Sequence, residues 1–305
     1  MTNGSENHQL FDTSRGNKAI RADGTNAERT ASEFAFATNG FTFSSAFSST
    51  YQQNDSYVAW CWKAGTGKVL NQDGNWNAQV NANRENGFSI ITYDGAGSGM
   101  TIGHGLERAP EFIMFKALTS SPHGAQNWNF YHASQGATKV GFLNLDNAFT
   151  TDSGFMNNTA PTSSIITLGG SNSVSYTGQP YVAYAWHSVE GYSKVGGYYG
   201  NAQGEGSVIE TGFKPGWIMI KRTASSGDWA IWDSVRYTTN PVGNNLTANA
   251  ASPESSAGNH AIDILSSGFR IRSANTTLGG FEHYIYVAFA EKPTNAGFGA
   301  IINAG

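Results

Sequence analysis

The sequence predicts an all-β protein made of tandem β-sandwich repeats, jelly-roll-like and about a hundred residues each. The phrase Tyr-Val-Ala-aromatic occurs three times, as Tyr57-Val58-Ala59-Trp60, Tyr181-Val182-Ala183-Tyr184 and Tyr286-Val287-Ala288-Phe289. Each is preceded, sixteen or seventeen residues upstream, by an apolar run: Phe41-Thr42-Phe43, Ile165-Ile166-Thr167-Leu168 and Phe269-Arg270-Ile271. The repeated segments are short and rich in β-branched and aromatic residues, and Gly, Asn, Ser and Pro punctuate them, which is the pattern of many short strands joined by turns.

Alignment of the copies fixes the units. Gly87-Phe88-Ser89-Ile90-Ile91 returns 104 residues later as Gly191-Tyr192-Ser193-Lys194-Val195. Pro110-Glu111-Phe112-Ile113-Met114-Phe115-Lys116 returns as Pro215-Gly216-Trp217-Ile218-Met219-Ile220-Lys221, and Trp128-Asn129-Phe130-Tyr131-His132 as Trp229-Ala230-Ile231-Trp232-Asp233. Residues 87–190 are therefore the second repeat and residues 191–293 the third. Residues 1–64 read as an incomplete first repeat. Leu10 to Arg15 matches Ile231 to Arg236, but no Gly-Phe-Ser strand and no Pro-to-Lys strand precedes it. Residues 65–86 form an insert or linker, and residues 294–305 a tail. Because a truncated sheet exposes a pairing edge, Gly297 to Ile302, which resembles Gly87 to Ile91, either completes the first repeat in its own chain or a neighbour's or is a frayed terminus.

Within Tyr57 to Trp62, Tyr57, Ala59 and Cys61 alternate with Val58, Trp60 and Trp62, so both faces are apolar. That pattern predicts a central strand buried on both sides, with Cys61 as a small buried hydrophobe. The best helix signal is Asn26 to Phe34, with Asn26 as its cap and two or three turns behind it.

Composition excludes several classes of function. A net charge of -4 with no basic cluster argues against a nucleic-acid partner. A polar start argues against a signal peptide, and no apolar run approaches the ~20 residues of a membrane span. One cysteine excludes an intrachain disulfide. Gly65-Thr66-Gly67-Lys68 is followed by Val69 where a phosphate loop needs Ser or Thr. Gly95 to Gly99 reads as a turn, Asn71 to Asn75 as an Asp-Gly turn without the acidic residue that closes a calcium loop, and the seven histidines lack ligand spacing. Asp12 and Asp233 share their repeat position with His132, which argues for a structural hydrogen bond over acid-base work. No catalytic residue, metal site or cofactor is expected, and the chain is not read as an enzyme.

Tyr57, Tyr181, Tyr286, Trp128 and Trp229 recur in every alignable copy and are read as repeat core, where large aromatics bury about 150–250 Å² each. Binding is sought in what differs between repeats. Trp76, flanked by Asn75 and Asn77, either pins the insert to the next repeat or binds a ligand; His123 in its loop and Tyr199 beside Asn201 are the other candidates.

Tyr57 to Gly65, the Gly-Phe-Ser strand at 87–89, the stretch from Gly103-His104-Gly105-Leu106 to Pro110, and Trp229 to Arg236 together resemble an uncharacterised repeat domain of virion proteins from marine tailed bacteriophages. The resemblance covers nearly the whole chain and brings no catalytic residues with it. It implies a structural component of the phage particle, either a tail fibre or tail-associated adhesin that contacts host surface glycans, or a capsid decoration or head-surface protein. Its implied partners are other virion proteins and copies of itself, with a homotrimer as the expectation from fibre proteins.

Overall fold

The computed structural model describes residues 5–44, 55–120, 122–255 and 260–293. The protein is all-β, with antiparallel sheets packed as sandwiches. In the first unit, β1 (Gln9–Asp12), β2 (Gly16–Arg21) and β3 (Arg29–Thr30) form one sheet, and β4 (Phe34–Ala37) pairs with β5 (Gly40–Phe43). Next come β6 (Val69–Asn71) and β7 (Ala78–Asn83). The second unit runs through β8 (Phe88–Asp94), β9 (Met100–Gly103), β10 (Phe112–Ala117), β11 (Asn129–His132), β12 (Lys139–Phe142) and β13 (Thr150–Thr151). It then continues through a single-turn helix, α1 (Ser153–Met156), β14 (Ile165–Leu168) and β15 (Pro180–Trp186). The third contains β16 (Ser193–Tyr199), β17 (Val208–Glu210), β18 (Pro215–Arg222), β19 (Ala230–Asp233), β20 (Leu246–Thr247), β21 (Ile262–Leu265), β22 (Gly268–Ile271) and β23 (His283–Ala290).

The second and third units share one topology. The large sheet of the second is ordered β13-β12-β11-β10-β15-β8-β7-β6, and that of the third β16-β23-β18-β19-β20. Read in the same direction, β12-β11-β10-β15-β8 and β20-β19-β18-β23-β16 are equivalent strands. A smaller sheet covers one face of each: β14-β9 in the second unit, β17-β22-β21 in the third. The segment 65–86 adds β6 and β7 to the edge of the second unit's sheet, with Val80 opposite Ile91.

Both faces of each large sheet are apolar because both are covered. Along β15, Tyr181, Ala183 and Ala185 face the second unit's own sandwich core with Ile102, Ile166 and Leu168. Val182, Tyr184 and Trp186 face the other way, into a core shared with Trp217, Met219, Val287 and Phe289 of the third unit. Ile20 is buried in the same shared core, and Leu10, Trp60 and Trp62 pack against it, so all three units meet there.

Three expectations are corrected. Residues 57–62 form no strand, and all of them but Cys61 are half-buried, because the strands that flank β15 and β23 have no counterpart beside them among the described residues. For the same reason Cys61 is exposed, not buried. The expected helix over 26–34 is instead β3 and a turn into β4, since Ala31 N–H bonds Asn17 O and carries the chain back onto β2. The tail, residues 294–305, lies outside the described residues.

Candidate functional site

The most organised side-chain chemistry lies at the junctions between units. Three backbone bonds of one kind establish equivalent positions: Ala22 N–H on His8 O, Leu143 N–H on Trp128 O, and Ala248 N–H on Trp229 O. A matching pair supports them, since Lys18 Nζ donates to Thr30 Oγ1 and Lys139 Nζ to Thr151 Oγ1, each at 2.9 Å. His8, Trp128 and Trp229 are thus one position in three copies, and so are Arg21, Phe142 and Thr247.

Those two positions bond across every junction. Trp128 Nε1 donates to Arg21 O at 2.7 Å, Trp229 Nε1 to Phe142 O at 2.8 Å, and His8 Nε2 lies 3.0 Å from Thr247 O. The second unit therefore bonds to the first, the third to the second, and the first to the third. The three units close into a ring with pseudo-threefold symmetry, held within a single chain.

A second set repeats this order. The last residue of the Tyr-Val-Ala phrase reaches into the preceding unit: Tyr184 Oη donates to Asp12 Oδ2 at 2.6 Å, and Trp60 Nε1 to Asp233 Oδ2 at 3.4 Å. Each aspartate also closes its own turn. Asp12 Oδ1 accepts from Ser14 and Arg15 N–H, Asp233 Oδ1 from Val235 and Arg236 N–H. Arg15 bridges Asp12 at 2.5 Å and Glu28 at 3.0 Å; Arg236 bridges Asp233 at 2.6 Å and also Glu254. Burial opposes the charge of Arg15, but Tyr184, Asp12 and Glu28 outweigh it and hold its pKa above the ordinary value.

At the remaining junction every member is neutral. By strand register Val287, opposite Met219 as Tyr184 is opposite Met114, stands at the position of Tyr184; His132 replaces the aspartate, Gln135 the arginine and Phe149 the glutamate. The imidazole keeps both halves of the aspartate's role: Nδ1 accepts Ser134 N–H at 3.2 Å, and Nε2 lies 3.3 Å from Tyr286 O in the third unit. These partners assign the neutral tautomer protonated at Nε2. Burial pushes its pKa down to about 4. Loss of a single member would strand a buried charge, at a cost of about 3–5 kcal/mol, so a neutral set replaces the charged one as a whole.

Buried lysines tie the same interfaces. Lys116 Nζ donates to Thr25 O of the first unit and to Gln126 O; Lys221 Nζ donates to Asp146 O of the second and to Gly227 O. Desolvation pushes each lysine down to about 8. All the aspartates and lysines that repeat are thereby committed to structure. Among the described residues no three His, Cys, Asp or Glu side chains are grouped to hold a metal ion, and no helix is long and apolar enough to cross a membrane.

The residues singled out for binding fall in separate neighbourhoods. Trp76 is 44% exposed, and its N–H bonds Thr101 O beside β9. Asn75 is spent on holding that loop, with Nδ2 on Gly99 O and Oδ1 accepting Thr101 N–H. His123 stands edge-on to Tyr176 at 4.3 Å; a cleft of about 400 Å³ lies between the first unit and Ser120 and Ala125, and His123 does not line it. Tyr199 is exposed on the third unit, edge-on to His283, with its hydroxyl donating to Phe281 O. Among the described residues no hydrogen bond or ring contact joins these three places. Of the repeat aromatics, Tyr181, Tyr286, Trp128 and Trp229 are buried, whereas Tyr57 is half-buried. Sequence reasoning missed the glutamates, the arginines and the direction of the lysines. The recurring Asp-x-x-Arg at Asp12–Arg15 and Asp233–Arg236, replaced by His132 and Gln135 in the second unit, was the available signal.

Neither the curated proteins nor the solved structures include a match to this chain. One family model does match, over residues 1–293, and so takes in all three units of the ring. The chain belongs to that family, the domain of unknown function DUF7483.

Proposed function

We propose that this protein is a non-catalytic structural component of a tailed-phage particle, and that it serves as a tail-associated attachment protein in contact with host surface glycans. The observation that carries the non-catalytic reading is the fate of Asp12, His132 and Asp233. The recurring acid-base residues are buried and saturated by turn and junction hydrogen bonds, which leaves none facing a ligand. A closed ring provides within one chain the threefold rigidity that fibre proteins draw from three chains. Trp76, on a loop fixed by Asn75, offers a flat aromatic face of the kind that stacks on sugars. Glycan-array binding that Trp76→Ala abolishes is the expected result; binding that survives the substitution removes the site.

A second reading, a capsid decoration or head-surface protein, is favoured by the edge strand β6, where Val69 is 61% and Leu70 53% exposed. An apolar edge of this kind suits burial against a neighbouring copy or another virion protein. Labelling on intact particles separates the readings: label at the tail supports attachment, and label over the shell supports decoration.

A further inference from the structure

The first unit departs from the second on the face of its sheet turned away from the shared core. Ala19 and Arg21 lie on that face, two residues apart on β2, with Arg29 opposite Ala19; Ile20, between them, points into the shared core. By the equivalences above, the positions of Ala19 and Arg21 are held in the second unit by Val140 and Phe142, which pack in its own sandwich core. A methyl group and a guanidinium replace two core side chains. Both line the cleft of about 400 Å³, which is bounded further by Asn26 and Arg29 and, from the second unit, by Ser120 and Ala125.

Bonds outside the cleft hold its walls. Arg21 O accepts from Trp128 Nε1, Thr25 O accepts from Lys116 Nζ, and Glu28 N–H donates to Leu118 O at 3.0 Å, so the second unit fixes the first unit's side. On the facing side, Gln179 Nε2 donates to Thr119 O and Gln126 Nε2 to His123 O, which steadies the loop that carries Ser120 and Ala125. A site formed in advance pays little ordering entropy when a ligand enters.

The cleft has the size of small-molecule sites, which span about 300–1,000 Å³. Arg21, Asn26 and Ser120 are exposed, and among the described residues none of the three makes a side-chain hydrogen bond or ion pair. Two acids lie close by. Glu33 pairs with Arg29 at 2.9 Å, and burial pushes the carboxyl of Asp23 up against the pull of His8 and Arg21. A guanidinium matches a carboxylate in shape and charge, and an amide and a hydroxyl beside it match a body rich in hydroxyl groups. We propose that this cleft binds an acidic saccharide, with the carboxylate of a uronic acid on Arg21 and sugar hydroxyls on Asn26 and Ser120. This rests on the glycan-contact reading above but not on Trp76: neutral glycans report on Trp76, and carboxylated ones on Arg21.

Calorimetric titration of the full chain with uronate oligosaccharides, their methyl esters, neutral oligosaccharides and inorganic phosphate tests the site. A uronate oligosaccharide should bind one to one, and its methyl ester about tenfold more weakly or worse, through loss of a charged hydrogen bond. Arg21→Gln should weaken the acid by the same factor, and Ala125→Trp should block it by filling the cleft while Arg21 stays in place. Both variants should keep the wild-type melting temperature, because the junction uses the backbone carbonyl of Arg21 and Ala125 is exposed; they alter opposite walls, so either one decides the matter if the other fails to fold. Equal binding of acid and ester, binding that survives either substitution, or binding of phosphate alone overturns the proposal. If neutral oligosaccharides bind and no uronate does, the acidic site falls and the glycan-contact reading stands; if no oligosaccharide of either kind binds, both fall.

Discussion

The hydroxyl of Tyr184 lies 2.6 Å from Oδ2 of Asp12, a bond between two units across 172 residues of chain. It completes the acceptor set of a buried carboxylate that already bonds its own turn and Arg15. Tyr184→Phe should therefore cost about 1–3 kcal/mol, the penalty of a buried polar partner left unmatched. Asp12→Ala should cost about 3–5 kcal/mol, because it also strands Arg15. Equilibrium denaturation measures both, and the order of the two costs is the informative result.

Acid should destabilise the protein through its buried imidazoles. His132 and His104 are both pushed down to about 4, mainly by burial, from an ordinary value of 6.5. The unfolded chain takes up these protons first, so the native state keeps its stability above pH 6.5 and loses it as pH falls from 6.5 to 4. The loss approaches about 3 kcal/mol per histidine below that window. Urea midpoints across the range should fall accordingly, and His132→Asn should flatten the fall.

At alkaline pH the sign reverses for the lysines. Lys116 and Lys221 are pushed down to about 8 by desolvation, so the unfolded chain holds the protons more tightly between 8 and 10.5 and stability climbs with pH through that interval. Burial raises Tyr181, Tyr192, Tyr284 and Tyr286 to about 12, which removes stability once pH passes 10. A stability maximum between pH 9 and 10 follows, at about the crossing of these two effects. Lys116→Met should shrink the rise from pH 8, as denaturation at each pH would show.

Docking of the 65–86 segment depends on a close backbone approach. A Cβ at Gly74 would lie 2.2 Å from Thr101 O, the carbonyl that accepts Trp76 N–H. Gly74→Ala should loosen this loop, with faster amide exchange over residues 69–78 and none of that change in residues 215–222. Unchanged exchange at residues 69–78 would mean that Trp76 is held by something other than this approach.

Fold class and strand positions were legible in the sequence because tandem copies display their own alignment, and because sheets covered on both faces read as continuous apolar runs such as Tyr181 to Trp186. What failed was context. Tyr57 to Trp62 carries the signature of a central strand, but strand status depends on neighbours, and the two that clamp β15 have no counterpart beside it among the described residues. Asn26 to Phe34 has a helical cap and helix-forming residues, yet tertiary pairing with β2 overrides that preference. At the junctions, the replacement of Asp by His was visible and its structural meaning could be argued. Its partners Val287, Gln135 and Phe149 could not be tied to it, since the pairing runs between units and the sequence alone does not say which unit faces which.

Small-angle scattering with mass determination tests the closed ring most directly. A single compact body of 305 residues should give a radius of gyration of about 19 Å. Three sandwiches strung in a line would give about 26 Å or more at the same mass. A monomer near 19 Å is the predicted result, and a monomer near 26 Å would contradict the shared core and the bonds from His8 to Thr247 and from Trp60 to Asp233 that close the ring.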